Sequence, residues 1–427
     1  MSVKTYTYCG PESLHSLIGQ VMASLGYVGG RESRDVGAAI TFRDDGSHLY
    51  VGCTFTEEGR SWSSEIGLLS KDDPRKIVKD CLIHWHQRFT GHGPGPWGTL
   101  IGVRPTKLVH HLFDQGLDEK GAEKILTDDY DVADKTAKDL VAMASLQRPY
   151  VTGRGRKIAL YVGGGTPTCL PTRVLQPLME RLARNFPSVR EWTVEAGRPD
   201  TAEEGVLTML KNCGVNRISV NPQTMQQHLL DALGRRHSVD DIYTMYETCR
   251  KVGFSVINMD FIAGLPGQTV GDMQENMEIV CKLHPENVTI HTLALKKRAP
   301  LFHHDLREKI PPADVTGRMV SLCQSVLAGG GYVPYYMYRQ KYMAASFANV
   351  GYALPGTVSA YNIEMMEERQ SVLAAGPGGA TKFLGRDGHT LEKVYMPKDV
   401  NTYIQALDDK MARRRRLCAI VYGGEDI

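Results

Sequence analysis

Five short runs rich in β-branched and aliphatic residues recur through the middle of the chain, at 158–162, 191–194, 217–220, 256–261 and 288–292. A segment of helical pattern follows each run. The runs end near positions 162, 194, 220, 261 and 292. That interval of roughly 25–40 residues holds one strand, one helix and two turns. Such a βα repeat predicts a parallel sheet, open or barrel-like. Local signals agree with it. Thr201-Ala-Glu-Glu204 and Ser238-Val-Asp-Asp241 resemble capping boxes, the second with Asp in place of Glu. Gly214 and Gly253 stand where C-cap glycines belong.

The repeat divides the 427 residues into three stretches: 1–149, 157–331 and 332–427. In the first, runs at 36–42, 48–54 and 61–67 predict an antiparallel meander, with Asp44-Asp45-Gly46 and Glu57-Glu58-Gly59 as turns. Residues 74–89 predict a helix ended by the Gly/Pro loop 91–98, and 116–146 two shorter helices. The last stretch is rich in Tyr, Gly and Met. Its run Arg413–Arg416 predicts a solvated helix end. A net charge of +2 argues against general attraction to nucleic acid. No signal-peptide core opens the chain and no run of ~18 apolar residues interrupts it, so a cytoplasmic protein with no membrane partner is expected.

In parallel α/β proteins ligands sit at the carboxyl ends of the strands, and here the unusual residues fall at those ends. Gly163-Gly164-Gly165-Thr166 follows the first run, either as a ligand loop or as a tight packing turn. Glu195 ends the second run, in reach of a ribose or an amine. Asn221-Pro222-Gln223 ends the third, with Arg235 and Arg236 one helix later as carboxylate-binding cations. Asp260 interrupts an apolar run and needs a partner, a neighbouring strand's cation or a ligand. His291 is expected to be a core histidine bonded to backbone, and Ala294 closes the set. Together, five consecutive strand ends suit one small, polar, nucleoside-like ligand.

The nine cysteines are dispersed. The closest pair, Cys53 and Cys81, is 28 positions apart. They read as buried thiols in a reducing compartment. No metal site is expected at His84-Trp-His86, His110-His111 or His303-His304, since adjacent histidines on a helix point apart.

These residues resemble radical S-adenosylmethionine (SAM) proteins of the oxygen-independent coproporphyrinogen III oxidase (dehydrogenase) group, in its longer HemZ-type branch. Pro96-Trp-Gly-Thr-Leu-Ile-Gly-Val-Arg-Pro-Thr-Lys107 resembles the N-terminal domain of that branch. Tyr335-Tyr-Met-Tyr-Arg-Gln-Lys341, Asn349-Val-Gly-Tyr352 and Tyr361-Asn-Ile-Glu-Met-Met-Glu-Glu-Arg369 resemble its C-terminal region. The resemblance implies SAM contacts at Gly164, Gly165, Thr166, Glu195, Gln223, Arg235, Asp260 and Ala294. It implies a role in porphyrin and haem synthesis, the oxidative decarboxylation of two porphyrinogen propionates to vinyl groups.

Against the family pattern one βα unit is missing. In the family a first strand, a CxxxCxxC loop and a helix precede the glycine loop. Here Gln147-Arg-Pro-Tyr150 resembles the approach to that strand, and only 151–157 separates it from position 158. The three ligands of a 4Fe–4S cluster go with that unit, and no catalytic residue is assigned. The expected fold is α/β: a partial barrel lacking its first strand, an α+β N-terminal domain and a mostly helical C-terminal region. The strand at 158–162 is then an open edge, to be covered by 151–157, by the N-terminal domain or by self-association with a second copy. Two readings of function follow. One is a deletion variant of the enzyme that folds poorly. The other is a non-enzymatic porphyrin- or SAM-binding protein with a stable fold, and SAM affinity is expected to be weak in either.

Overall fold

The computed structural model describes residues 4–30, 36–68, 73–91, 95–152, 159–164, 166–187, 189–293, 305–339, 347–385, 387–388 and 390–422. By internal contacts the chain divides into residues 1–142 with 294–296 and 339–346, and residues 143–293 with 297–338 and 347–427.

The first unit contains β1 (Thr5–Cys9), α1 (Glu12–Ser24), β2 (Val28–Gly29), β3 (Val36–Asp44), β4 (Leu49–Glu57), β5 (Arg60–Leu68), α2 (Pro74–Thr90), α3 (Thr106–Asp114) and α4 (Glu119–Asp128). Its sheet runs in the order β2-β1-β3-β4-β5. Strands β3, β4 and β5 form the meander that the alternation predicts. Glu58 and Gly59 both take positive φ, the geometry a two-residue hairpin turn demands. Asp73 accepts from the Arg75 amide to cap α2, Pro74 stands at its first position, and Gly91 ends it in the left-handed region. Leu14, Ile18 and Met22 of α1 and Val78, Leu82 and Trp85 of α2 share one core with Ile40, Val51 and Phe55 of the sheet.

Helix α5 (Asp134–Val151) leads to the second unit. There follow β6 (Ala159–Val162), α6 (Thr172–Asn185), β7 (Glu191–Glu195), α7 (Glu204–Asn212), β8 (Arg217–Gln223), α8 (Gln227–Ala232), α9 (Val239–Val252), β9 (Val256–Ala263), α10 (Val270–Leu283), β10 (Asn287–Thr292) and α11 (Ala313–Gly329). The chain ends with β11 (Val333–Arg339), β12 (Ala348–Ala353), α12 (Ala360–Glu367), β13 (Val372–Ala375), β14 (Ala380–Leu384), β15 (Leu391–Tyr395) and α13 (Val400–Tyr422). One ten-stranded sheet holds the unit together, in the order β11-β12-β10-β9-β8-β7-β6-β13-β14-β15. The five predicted strands are its parallel centre.

The edge beside β6 is not open. Strand β13 pairs with β6 in parallel, Val372 with Ala159 through Ala375 with Val162. In a sheet whose order follows the sequence from β10 back to β6, that is where a preceding strand would lie. What pairs with β6 on that side is a strand of the C-terminal region, not one of the N-terminal domain. Most of the segment 151–157 falls outside the described residues. The C-terminal region, expected to be mostly helical, carries five strands beside two helices among the described residues. Short runs such as Val-Leu-Ala-Ala lack the alternation that marks a strand in sequence.

The fit at this edge is close. The Gly163 amide donates to the Ala375 carbonyl at 3.1 Å. Gly164 has φ +97°, and a Cβ there would run into the Pro377 carbonyl oxygen and Gly378. A Cβ on Gly376 would come within 2.8 Å of the Gly163 oxygen, and one on Gly378 within 2.8 Å of the Gly164 oxygen. Two glycine loops therefore interlock backbone against backbone. Helix α13 fixes the far side. The Tyr403 hydroxyl accepts from the Gly376 amide, and Arg414 donates to the Ala374 carbonyl at 3.2 Å. The arginine run is thus not wholly solvated: Arg414 is buried while Arg413, Arg415 and Arg416 are exposed.

Two further local expectations divide. Ser238 and Asp241 make the predicted capping box at α9, and Thr269 with Asp272 makes another at α10. Thr201 caps nothing. Its hydroxyl is engaged with Thr168 at 2.7 Å and with the Arg198 carbonyl at 3.0 Å, and α7 starts only at Glu204. Among the described residues no helix is long and apolar enough to cross a membrane.

Leu373 of β13 is fully buried against the core. Leu373→Ala is expected to destabilise the second unit by about 2–5 kcal/mol, as large-to-small changes do in packed cores. Denaturant unfolding measures it. A loss under about 0.5 kcal/mol, the range of ordinary surface substitutions, would show that β13 is not seated on β6.

Candidate functional site

The strands of the parallel centre alternate strictly. Trp192 and Val194, Ile218 and Val220, Ile257, Met259 and Phe261, and Val288 and Ile290 face one side. They pack there with apolar residues of α6, α7, α9, α10 and α11. The intervening positions are polar: Thr193 and Glu195, Arg217 and Ser219, Asn258 and Asp260, and Asn287, Thr289 and His291. Period two puts all of these on the opposite face. Register aligns them into rows, Tyr161 with Thr193 and Arg217, and Glu195 with Ser219, Asn258 and Asn287.

Helix α12 lies over this polar face. The carboxylate of Glu191 on β7 holds its N-terminus, accepting from the Ser359 hydroxyl at 2.7 Å and the Ala360 and Tyr361 amides at 2.7 and 3.0 Å. An acid at a helix N-terminus is doubly placed, by hydrogen bonds and by the helix dipole. At the other end Lys382 of β14 donates to the Met365 carbonyl at 2.9 Å. Between α12 and the sheet lies a cavity of about 220 Å³.

Asp260 and Glu195 both face this cavity. Asp260 accepts from the Asn258 amide nitrogen at 2.8 Å, and its other oxygen lies 3.7 Å from His291 Nε2. Burial pushes the Asp260 carboxyl up. Hydrogen bonding and charge from His291, with Asn258 and Thr289, outweigh that and hold it below the ordinary carboxylate range. Glu195 accepts from the Tyr161 hydroxyl. The Tyr161 ring stacks on Tyr361 of α12, with centroids 3.8 Å apart and planes within 2°. Burial, then the Glu195 charge, keeps the Tyr161 phenol protonated well above its usual range. His291 is not a core histidine bonded to backbone. It lines the cavity with Tyr338, whose hydroxyl is 3.4 Å from Nδ1. Its strand position alternates with buried Ile290, so it must face the polar side. At the amino ends of the strands Arg217 donates to Asn287 and, at 2.7 Å, to the Thr357 carbonyl.

The remaining expected residues stand elsewhere. Gly164 is taken up by the interlocked loops. Thr166 packs near Gly197. Gln223, at φ +68°, ends the bulge of β8 that also accommodates Pro222. Arg235 is half-buried beside Arg198, Asp200 and His237. Burial, then Arg198, lowers its pKa, with Asp200 opposing. None of these four lines the cavity. Gly165 and Ala294 lie outside the described residues, as do His303 and His304. The cavity residues that the strand-end reading passed over, such as Thr193, Asn258 and Thr289, were marked by the polar alternation inside each strand.

Known proteins match this architecture. The pattern of the Radical SAM superfamily covers residues 139–280. The oxygen-independent coproporphyrinogen-III oxidase-like protein HemZ of Bacillus subtilis (strain 168) is 33% identical over 445 residues, spanning 88% of each chain. The chain belongs to the coproporphyrinogen-III oxidase-like branch of the radical SAM superfamily. Within that superfamily it is also 30% identical to the heme chaperone HemW of Bacillus subtilis over 205 residues, 47% of this chain and 52% of HemW. The solved coproporphyrinogen III oxidase HemN of Escherichia coli aligns over 62% of this chain and 72% of its own at 20% identity, with a TM-score of 0.46.

The family implies SAM and a 4Fe–4S cluster, and among the described residues the cysteines are spread over separate segments. Cys9, Cys53 and Cys81 lie in the first unit. Cys169, Cys213, Cys249, Cys281 and Cys323 lie on different segments of the second. Burial pushes the thiols of Cys249 and Cys323 up to about 12, whereas clusters are held by thiolates. Among the described residues no three His, Cys, Asp or Glu side chains converge to hold a metal ion.

The depressed Asp260 carboxyl has a pH consequence. Its folded pKa is below the unfolded value of about 3.9, so its contribution to stability is complete above that value. It is lost as pH falls through the folded pKa. Asp260→Asn is expected to flatten the acid side of the stability profile below about pH 4. Equal pH dependence in both proteins, followed by thermal unfolding, would contradict the Asp260–His291 pairing.

Proposed function

We propose that this chain is a folded, non-radical member of its family that binds a small molecule in the cavity under α12 and does not cleave SAM. One observation carries the reading: β13 occupies the place beside β6 where the family pattern puts its cluster-bearing strand. A deletion variant would leave that edge raw, and a raw edge invites aggregation. Here the edge is paired, its glycine loops interlock and two side chains of α13 bond to it. This favours a stable binding protein over a damaged enzyme.

The cavity supports the same view. At about 220 Å³ it is below the roughly 300–1,000 Å³ usual for drug-sized ligands. A tetrapyrrole is larger still, so a porphyrinogen is not its occupant as the cavity stands. Relatives named for coproporphyrinogen oxidation and for haem chaperoning support an ancestry in porphyrin chemistry, and on this reading the chain has lost the radical step. Glu195 and Asp260 retain the two strand-end carboxylates, while Gly164 is engaged by the C-terminal loop, which is why SAM affinity is expected to be weak.

The test is anaerobic reconstitution with iron and sulfide, followed by assay for both and for 5′-deoxyadenosine. The expected result is no stoichiometric iron and no 5′-deoxyadenosine. A full complement of iron with SAM turnover would overturn the proposal.

A further inference from the structure

We infer that the cavity under α12 takes a flat, uncharged molecule through a carbonyl oxygen, a small aromatic amide or lactam. The inference rests on the binding reading above and gives that cavity its ligand class.

Unmet donors at the amino ends of the strands are the first ground. Arg217 is 9% exposed and lines the space. Its Nη2 serves both of its acceptors, the Asn287 side-chain oxygen and, at 2.7 Å, the Thr357 carbonyl. Its Nε and Nη1 hydrogens have no acceptor among the described residues. Most of its N–H fork is therefore left over. Beside it on β7 stands Thr193, the register partner of Arg217. Thr193 is 8% exposed, lines the cavity, and its hydroxyl has no hydrogen-bond partner among the described residues. Neighbouring strands lie about 4.8 Å apart, so both side chains can reach one ligand oxygen. Buried donors without acceptors are costly. A carbonyl oxygen has two lone pairs, and placed between Arg217 and Thr193 it meets both.

Charge balance is the second ground. Asp260 stands against His291 and accepts from Asn258. Glu195 accepts from Tyr161. Glu191, the next acid along β7, is taken up by the N-terminus of α12. Arg217 and His291 face the same space as Glu195 and Asp260, so neither a cation nor an anion meets a surplus of opposite charge. An uncharged acceptor satisfies the leftover donors and brings no unpaired charge into a buried site.

The walls are the third ground. Tyr336 and Tyr338 close one side, and Met365 and Met366 of α12 another. Flat rings pack offset or edge-on against tyrosine, and thioethers adapt to ring edges. The volume, about 220 Å³, admits a single substituted ring.

Calorimetry on the full chain tests this with benzamide, benzoate and benzylamine, which are close in shape and respectively neutral, anionic and cationic near neutral pH. Benzamide is expected to bind roughly ten-fold or more tightly than either. Benzylamine sets donors against donors, and benzoate buries a charge beside two carboxylates. Thr193→Val should weaken benzamide binding roughly two- to ten-fold without lowering the thermal midpoint, and Thr193→Ser should retain the affinity. Arg217→Lys, which keeps the charge and loses the fork, should weaken it by about ten-fold or more. Benzoate or benzylamine binding as tightly as benzamide, or no benzamide binding by the folded chain, overturns the inference. So does unchanged benzamide affinity in Thr193→Val and Arg217→Lys. Iron uptake with 5′-deoxyadenosine formation overturns the non-radical reading, whereas loss of the amide preference without either overturns this inference alone.

Discussion

Parallel pairing of β13 with β6 is the contact on which the second unit depends. It joins β13, β14 and β15 to the sheet of the βα repeat. Four backbone positions pair, and the loops that follow the two strands approach so closely that side chains are excluded at Gly164, Gly376 and Gly378. Glycine is required here by contact with another backbone. Tyr403 and Arg414 then tie α13 to the same strand end.

With that edge closed, the two faces of the sheet take separate tasks. The apolar face is buried by the helices of the repeat and supplies most of the hydrophobic stabilisation. The polar face would be an expense if left in a dry interior. It is met by α12, which Glu191 pins by the N-terminus, and by a cavity in which carboxylates, amides, hydroxyls and tyrosines largely satisfy one another. Thr193 is the exception, and an exception of that kind marks where a ligand group belongs.

Much of this was legible in the sequence. The five central strands, the meander of the first unit and the capping box at Ser238 rest on local signals that tertiary structure does not override. Glu195, Asp260 and His291 stood out as polar residues in apolar runs. Their partners in the cavity were equally marked, since Thr193, Ser219, Asn258 and Thr289 each alternate with a large apolar residue. Other features were hidden because they depend on distant chain. Nothing local distinguishes a glycine loop that meets a ligand from one that meets Gly376-Pro-Gly-Gly379. Thr201 has the spacing of a cap but is drawn off by Thr168. Arg414 is buried inside a charged run because a carbonyl at the end of β13 needs a donor.

Amide hydrogen exchange read residue by residue along β6 and β13 tests the central claim most directly. Paired strands in a closed sheet exchange only on opening of the unit that contains them. The account predicts slow exchange for the interior amides of both Ala159–Val162 and Val372–Ala375, lost together on denaturation. Fast exchange along Val372–Ala375 while β7, β8 and β9 stay protected would show that β13 does not close the sheet, and would contradict the account.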